Sequence, residues 1–441
     1  MNIIPRIAKA MQCVLTTNAD ETARDMGFIK RQREFTGSNF AQTLVFGWLE
    51  NPDASLGELA QTAVSLGAKV SPQGLEQRFT QEASDFLKKL LEDAVSHLIC
   101  ADPVSIPILK RFNGVYIQDS SVIVLPDELS CVWQGCGGRV AKNTRASVKL
   151  NVRLNMSTGE LNGPHLQAGK VQDKSSCLQK EHPPAGSLRI ADLGYFSLKV
   201  MGELSSMTCY WLSRINTQCV IFDQNEERWD LVELLKKYCQ HNLDMPILLG
   251  VKDKLPCRLM AVRVPNSVAN ERRRKMKAEY RREGKTPSKR QLDLANWTVL
   301  VTNVSGEILS LDEAFVLMRI RWQIELLFKL WKSYGRIDKW RSEKPLRILC
   351  ELYAKLIAMI IQHWVSLSGS WSHPDRSLHK AAQTIRKHAI NLAIALNSGY
   401  SRRLREILEI IQRCLDAGCR LNKRRKKPNT YQLLLQLDES A

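Results

Sequence analysis

The apolar positions change their period along the chain. Up to about residue 105 they recur at helical spacing, as in Phe40, Leu44, Val45, Trp48 and Leu49, which predicts a helical N-terminal region. Inside it, 54–80 predicts two short helices around a turn at Gly67. The first covers 56–65; the second opens with Ser71 as N-cap and Pro72 as first helical residue, and carries Gln73, Gln77 and Arg78. This is a helix-turn-helix pattern, whose second helix suits a DNA major groove, although purely structural bundles use the same pattern.

From about 105 the texture becomes β-rich. "GVYIQDSSVIVL" (114–125) favours a strand, and "SVKLNVRLNM" (147–156) alternates with period two before a turn at Gly159. "SLRIADLGYF" (187–196) is a short apolar strand ending at Asp192. After a helix-like piece come "YWLSRI" (210–215), "MPILLGV" (245–251), "LMAVRV" (259–264) and "NWTVLVTNV" (296–304); from 311 the pattern is helical again. Strands first, then strands mixed with helices, predict an α/β layer. "LIAMII" (356–361) is bracketed by Lys355 and His363 and reads as a core helix. No stretch reaches 18 uncharged apolar residues, so no membrane span is expected.

"IRWQIELLFKLWKS" (320–333) mixes grease and charge. At about 100° per residue, Arg321, Glu325 and Lys332 share one narrow helical face. Trp322, Ile324, Leu326, Leu327, Leu330 and Trp331 cover most of the rest, which predicts a helix packed on most sides. Its polar stripe then faces water, with Arg321 bridging Glu325, or faces an internal site. Asp119 and Asp192, each within or at the end of a strand, supply two further acids that would converge with Glu325 at a sheet edge. Three clustered carboxylates repel unless a cation joins them. Two divalent ions relieve that and serve in-line phosphoryl transfer, with Arg321 and Lys332 on flanking phosphates. Each acid also has a bland reading, since strand-end aspartates commonly cap turns; Asp127 and Asp223 stand in similar positions.

Charge narrows the partner. The chain holds 64 Lys and Arg against 45 Asp and Glu, a formal net charge of +19, which favours a polyanion, nucleic acid before membrane. Ten basic and three acidic residues crowd 271–290, where Arg273, Arg274 and Lys275 are candidate phosphate contacts; "NKRRKK" (422–427) is a second basic cluster. Either run also has the ordinary reading of a solvated face. The twelve cysteines form no CxxC pair. Cys131 and Cys136, with His165 downstream, make only a weak zinc pattern. Reduced thiols and no visible secretory signal point to the cytoplasm.

The spacing of Arg321, Glu325 and Lys332 resembles the signature of the insertion-sequence-4 family of DDE transposases: tyrosine, two residues, arginine, three residues, glutamate, six residues, lysine. Met318 stands where the tyrosine would be. "YIQDSSVIVLP" resembles the block around the family's first aspartate, "RIADLGYFSL" the second, and "WTVLVTNV" the strand before the glutamate helix. The resemblance spans about 110–365, with a weaker echo at 28–90. It implies a ribonuclease H-like catalytic core interrupted by a β-rich insertion, and the long interval between Asp192 and Glu325 leaves room for one.

By this resemblance 1–105 is a helical DNA-binding region, 106–216 the first part of the core and 217–305 the insertion. Residues 306–365 would then bring the catalytic helix and 366–441 a helical C-terminal region for dimerisation or DNA contact. Asp119, Asp192 and Glu325 would hold two Mg²⁺ or Mn²⁺ ions. Water would cut a strand at the element's end, and the freed 3′-hydroxyl would then attack the opposite strand or the target. Trp297 would stack on an extruded base and Arg214 would contact phosphate. The expected partners are terminal inverted repeats, target DNA and a second copy of the chain, on the nucleoid and away from membranes. The alternative is a non-catalytic, degenerate protein that still binds the ends; a structural-RNA nuclease would share the core chemistry.

Overall fold

The computed structural model describes residues 3–31, 35–136, 145–371, 373–422 and 428–439. Among the described residues there are ten strands: β1 (Val115–Leu125), β2 (Ala146–Asn155), β3 (Leu161–Ala168), β4 (Leu188–Ala191), β5 (Tyr210–Arg214), β6 (Ile221–Phe222), β7 (Arg228–Trp229), β8 (Asn242–Leu249), β9 (Leu255–Arg263) and β10 (Trp297–Thr302). Their order is β3-β2-β1-β4-β5-β10-β9-β8-β6-β7, and with many helices they make the α/β class expected. The chain divides into two compact units. The first comprises Met1–Lys110, Asp119–Leu178 and Trp322–Leu435; the second comprises Arg111–Gln118, Gln179–Arg321 and Gln436–Ala441.

In the first unit, the helix Pro345–Leu367 is buried at every position from Ile348 onward. It packs against the helices Gly37–Glu50 and Gln81–Ser96, so apolar burial on all sides stabilises it. By length and composition this helix would span a bilayer, yet its apolar window lies wholly inside the unit. Two of its polar side chains reach the strand region: the Trp133 indole donates to Tyr353 Oη at 2.9 Å, and His363 Nε2 lies 2.7 Å from Gly159 O. Gly159 has φ +73°, a conformation natural to glycine, and forms the turn expected between β2 and β3.

Those two strands pair antiparallel, with an irregularity between Asn151 and Arg153. β2 alternates as expected, but both of its faces are buried. Val148, Leu150, Val152 and Leu154 fill one; Lys149, Asn151, Arg153 and Asn155 line the other. Buried polar groups need partners, and the chain at 171–178 supplies them. Lys149 Nζ donates to Val171 O at 2.6 Å, Ser176 Oγ donates to Asn151 Oδ1 at 2.9 Å, and Arg153 donates to Leu178 O.

In the second unit β4 runs parallel to the first part of β1, with Gln118 opposite Ala191, and also parallel to β5. β10, β9 and β8 continue in antiparallel pairs, and β6 joins β8 and β7 the same way. The core here gathers Trp211, Ile221, Leu234, Leu235, Leu249, Leu259 and Val301. The basic stretch 271–290, whose state is ambiguous from the sequence, is helical over Asn266–Arg282, and a capped short helix, Lys289–Leu294, follows.

Two expectations need correction. The stretch 320–333 is not one helix: Leu311–Ile320 ends at Arg321, and Trp322–Ser333 begins anew. Arg321 keeps helical dihedrals, φ −48° and ψ −32°, so neither glycine nor proline marks the break. Nor is the second helix packed on most sides. Ile324, Leu327, Phe328 and Trp331 are buried, whereas Trp322 is 54% and Leu326 37% exposed. The buried arc follows the ordinary i, i+3, i+4, i+7 stripe of an amphipathic helix.

Candidate functional site

Asp119 and Glu325 belong to the first unit. Asp119 sits within β1, where its Oδ1 accepts a hydrogen bond from the backbone N–H of Ser120 at 2.8 Å. Glu325 occupies the first turn of the helix Trp322–Ser333, where the helix dipole favours a negative charge. Lys332, in the last turn of that helix, reaches the same strand: its Nζ donates to Val122 O at 2.9 Å. Burial lowers the Lys332 pKa from the ordinary lysine value, and Asp338 opposes the shift. Strand and helix are thus tied together beside two of the three expected acids.

Asp192 lies in the second unit, just past β4 and at the N-cap of the turn Leu193–Tyr195. Its side chain is 42% exposed, and Arg321 Nε stands 3.9 Å from its Oδ1. By the register above, Asp119 follows Gln118 and Asp192 follows Ala191, and those two preceding residues are partners in parallel strands. Met318, in the place of the signature tyrosine, is buried. Among the described residues no group of three or more His, Cys, Asp or Glu side chains forms a ready-made metal site. Cys131 and Cys136 are exposed free thiols.

The second unit also holds a pocket of about 410 Å³, lined by Arg214, Arg272, Trp297 and apolar side chains including Leu193, Ile215, Met276 and Val299. Trp297 is 7% exposed and its indole lies 3.4 Å from Cys239 O, so it belongs to the core and to the pocket wall together. Arg272 is a residue the sequence reading missed. It donates to Trp297 O and to Thr298 Oγ1, both at 2.9 Å. Burial, with Arg214 nearby, lowers its pKa from the usual arginine value. Two guanidinium groups on one largely apolar pocket suit an anionic ligand with a flat apolar part. Arg272 lies three positions past Ala269, the buried residue of the helix Asn266–Arg282, a register visible only once that stretch is known to be helical.

Other expected DNA contacts divide. Arg273 is turned inward, donating to Leu292 O at 3.1 Å and Asn296 Oδ1 at 2.7 Å. Arg274 is exposed, and Lys275 is paired with Glu271 at 2.8 Å. In the expected helix-turn-helix, the helices are Leu56–Ser65 and Pro72–Glu76, with Gly67 at φ +79° and Ser71 Oγ accepting from Gly74 N. The second helix ends before Gln77, so Arg78 lies beyond it, 4.8 Å from the centre of the Phe35 ring. Of the basic cluster 422–427, residues 423–427 lie outside the described residues.

A family model for the transposase DDE domain matches residues 110–361. The chain belongs to the DDE transposase family. It is 28% identical over 367 residues to the transposase for insertion sequence element IS231B of Bacillus thuringiensis subsp. berliner, covering 78% of this chain and 75% of that one. Against the transposase for IS231F of Bacillus thuringiensis subsp. israelensis the identity is 29% over 383 residues, covering 81% and 79%. The transposase for IS1151 of Clostridium perfringens is 25% identical over 363 residues, covering 78% and 76%. These names are consistent with the insertion-sequence-4 resemblance drawn from the Arg321, Glu325 and Lys332 spacing. The chain is a DNA transposase, an enzyme of DNA strand cleavage and joining.

Proposed function

We propose that Asp119, Asp192 and Glu325 are the catalytic carboxylates and that the chain cuts and joins DNA at the terminal inverted repeats of an insertion sequence. The observation that carries this reading is the parallel pairing of Gln118 with Ala191, because in each case the residue that follows in the chain is an aspartate. The Lys332–Val122 hydrogen bond adds the glutamate helix to the same strand. The order β3-β2-β1-β4-β5 supports a ribonuclease H-like core, and β6–β10 with the basic helix support a β-rich insertion between the second aspartate and the glutamate.

The donor set is all carboxylate oxygen, which suits Mg²⁺ or Mn²⁺; gathering the three acids around a pair of such ions is part of the proposal. When bound, the ions would neutralise charge on the attacking and leaving oxygens. The chain's own groups do the rest. Arg321 orients Asp192, Lys332 holds a positive charge in the last turn of the glutamate helix, and Arg214 and Arg272 face a phosphate at the pocket. Trp297 offers its wall to an extruded base, in keeping with the family resemblance. Water and then the freed 3′-hydroxyl act as nucleophiles. A second copy of the chain pairs the two ends, and the work is done in the cytoplasm on nucleoid DNA.

The test is Mg²⁺-dependent cleavage of a duplex carrying the inverted repeats that flank the coding region. Asp119→Asn and Glu325→Gln are expected to abolish cleavage while end binding persists. Cleavage by both variants at the wild-type rate would remove the assignment.

A further inference from the structure

The polar face of β2 contains a buried lysine with no part in the site described above. Lys149 is 7% exposed, and its Nζ donates to Asp173 Oδ1 at 2.8 Å as well as to Val171 O. The same Asp173 oxygen accepts a second hydrogen bond, from Ser120 Oγ at 2.8 Å. Ser120 in turn gives its backbone N–H to the carboxylate of Asp119. An unbroken chain of polar contacts therefore runs from the interior of the first unit to the first expected carboxylate.

The geometry gives this chain a purpose. Neighbouring side chains on a strand point to opposite faces, so Ser120 anchors β1 from the side away from the Asp119 carboxylate. A buried lysine needs a carboxylate partner, and that need holds Asp173 in place under the serine hydroxyl. With its own side chain fixed, Ser120 presents its N–H in one direction, and that donor selects one orientation of Asp119. Removing a group that orients a ligand of an ion-binding centre typically costs about 10- to 100-fold in ion affinity or activity.

We propose that Lys149, Asp173 and Ser120 form a positioning relay that presets the Asp119 carboxylate for divalent ions. The proposal rests on the reading of Asp119 as a catalytic carboxylate. All three are positioning residues, and the conservative variant at Ser120 is Ser120→Thr, which keeps the hydroxyl on a β-branched side chain suited to a strand.

The test uses the full chain. Mn²⁺ binding is followed by electron paramagnetic resonance without DNA, and cleavage of the inverted-repeat duplex is followed across a Mg²⁺ titration. Ser120→Ala is expected to weaken Mn²⁺ binding and raise the Mg²⁺ concentration for half-maximal cleavage by about 10- to 100-fold, with end affinity and melting temperature unchanged. Ser120→Thr is expected to restore both. Asp173→Asn combined with Ser120→Ala is expected to be no worse than the more damaging single variant, the non-additivity of a shared network. Wild-type Mn²⁺ affinity and Mg²⁺ dependence in Ser120→Ala, alongside an inactive Asp119→Asn, would overturn the relay and leave the catalytic reading standing. A fall in melting temperature with unchanged ion dependence would also overturn it, by showing a structural role. Full cleavage by Asp119→Asn would instead remove the catalytic reading, and the relay with it.

Discussion

Arg321 Nε lies 3.9 Å from Oδ1 of Asp192, with the arginine side chain only 14% exposed. A guanidinium carries five N–H donors in a fixed planar fork, and here it faces the carboxylate. Replacing it with lysine keeps the charge and loses the planar fork. Arg321→Lys is expected to lower the cleavage rate by about 10- to 100-fold, the equivalent of one charged hydrogen bond, with little change in end affinity. Equal activity of the two proteins at saturating DNA would show that charge alone suffices.

The buried pair Glu351 and Lys355, 2.7 Å apart with side chains 3% and 2% exposed, organises the turn after the glutamate helix. Lys355 Nζ also donates to Arg336 O at 3.1 Å and Lys339 O at 2.8 Å. Burial raises the Glu351 pKa and lowers that of Lys355, while each partner opposes the other's shift. Lys355→Met leaves a buried carboxylate uncompensated and is expected to cost about 3–5 kcal/mol in denaturant unfolding. Adding Glu351→Leu should recover part of that loss, because the orphaned charge goes with it. Identical stability of the single and double variants would argue against this account.

Stability should depend on pH through His363. Burial lowers its imidazole pKa from 6.5 to about 4, against the opposing effect of its contact with Gly159 O. Between those values the unfolded chain binds a proton that the folded unit does not, so stability rises with pH there. The contribution is fully present above about pH 6.5 and is lost as the pH falls toward 4, with about 3 kcal/mol as its scale. Urea unfolding at pH 7.5 and pH 5 should show the loss, and His363→Gln should flatten it. The same slope in that variant would place the titration elsewhere.

The helix Asn266–Arg282 separates two kinds of basic residue. Arg273 is tied to Leu292 O and Asn296, whereas Arg274 is exposed. Arg274→Gln with Lys275→Gln is expected to reduce the slope of log affinity for DNA against log salt by about 1.8, two phosphates' worth. Arg273→Gln is expected to lower thermal stability and leave that slope alone. A salt slope that responds to Arg273 and ignores Arg274 would reverse the assignment.

Much of this was legible in the chain. Period-two alternation located β2, the run of apolar residues located β4 and β10, and Ser71 with Pro72 opened its helix where capping chemistry said it would. The break at Arg321 was not legible, since its backbone stays helical and no glycine or proline announces it. Exposure of Trp322 and Leu326 escaped because composition tells how greasy a helix is and not how many neighbours surround it. Arg272 and Arg273 are adjacent and chemically alike, so only helical phase against β10 separates the pocket residue from its neighbour. Lys149 and Asp173 were invisible as a pair because a contact between distant positions has no local signature.

A strand buried on both sides ordinarily tolerates little but hydrocarbon, and β2 departs from that by relying on a short connecting stretch for its polar side. This makes 171–178 an unusual piece of linker: shortening it would take a hydrogen-bond partner from a buried amine, a buried amide and a buried guanidinium. Surface loops generally accept insertions and deletions. Here the permitted length is set by four hydrogen bonds to β2, which makes this among the poorest places in the molecule to graft a tag or splice in another domain.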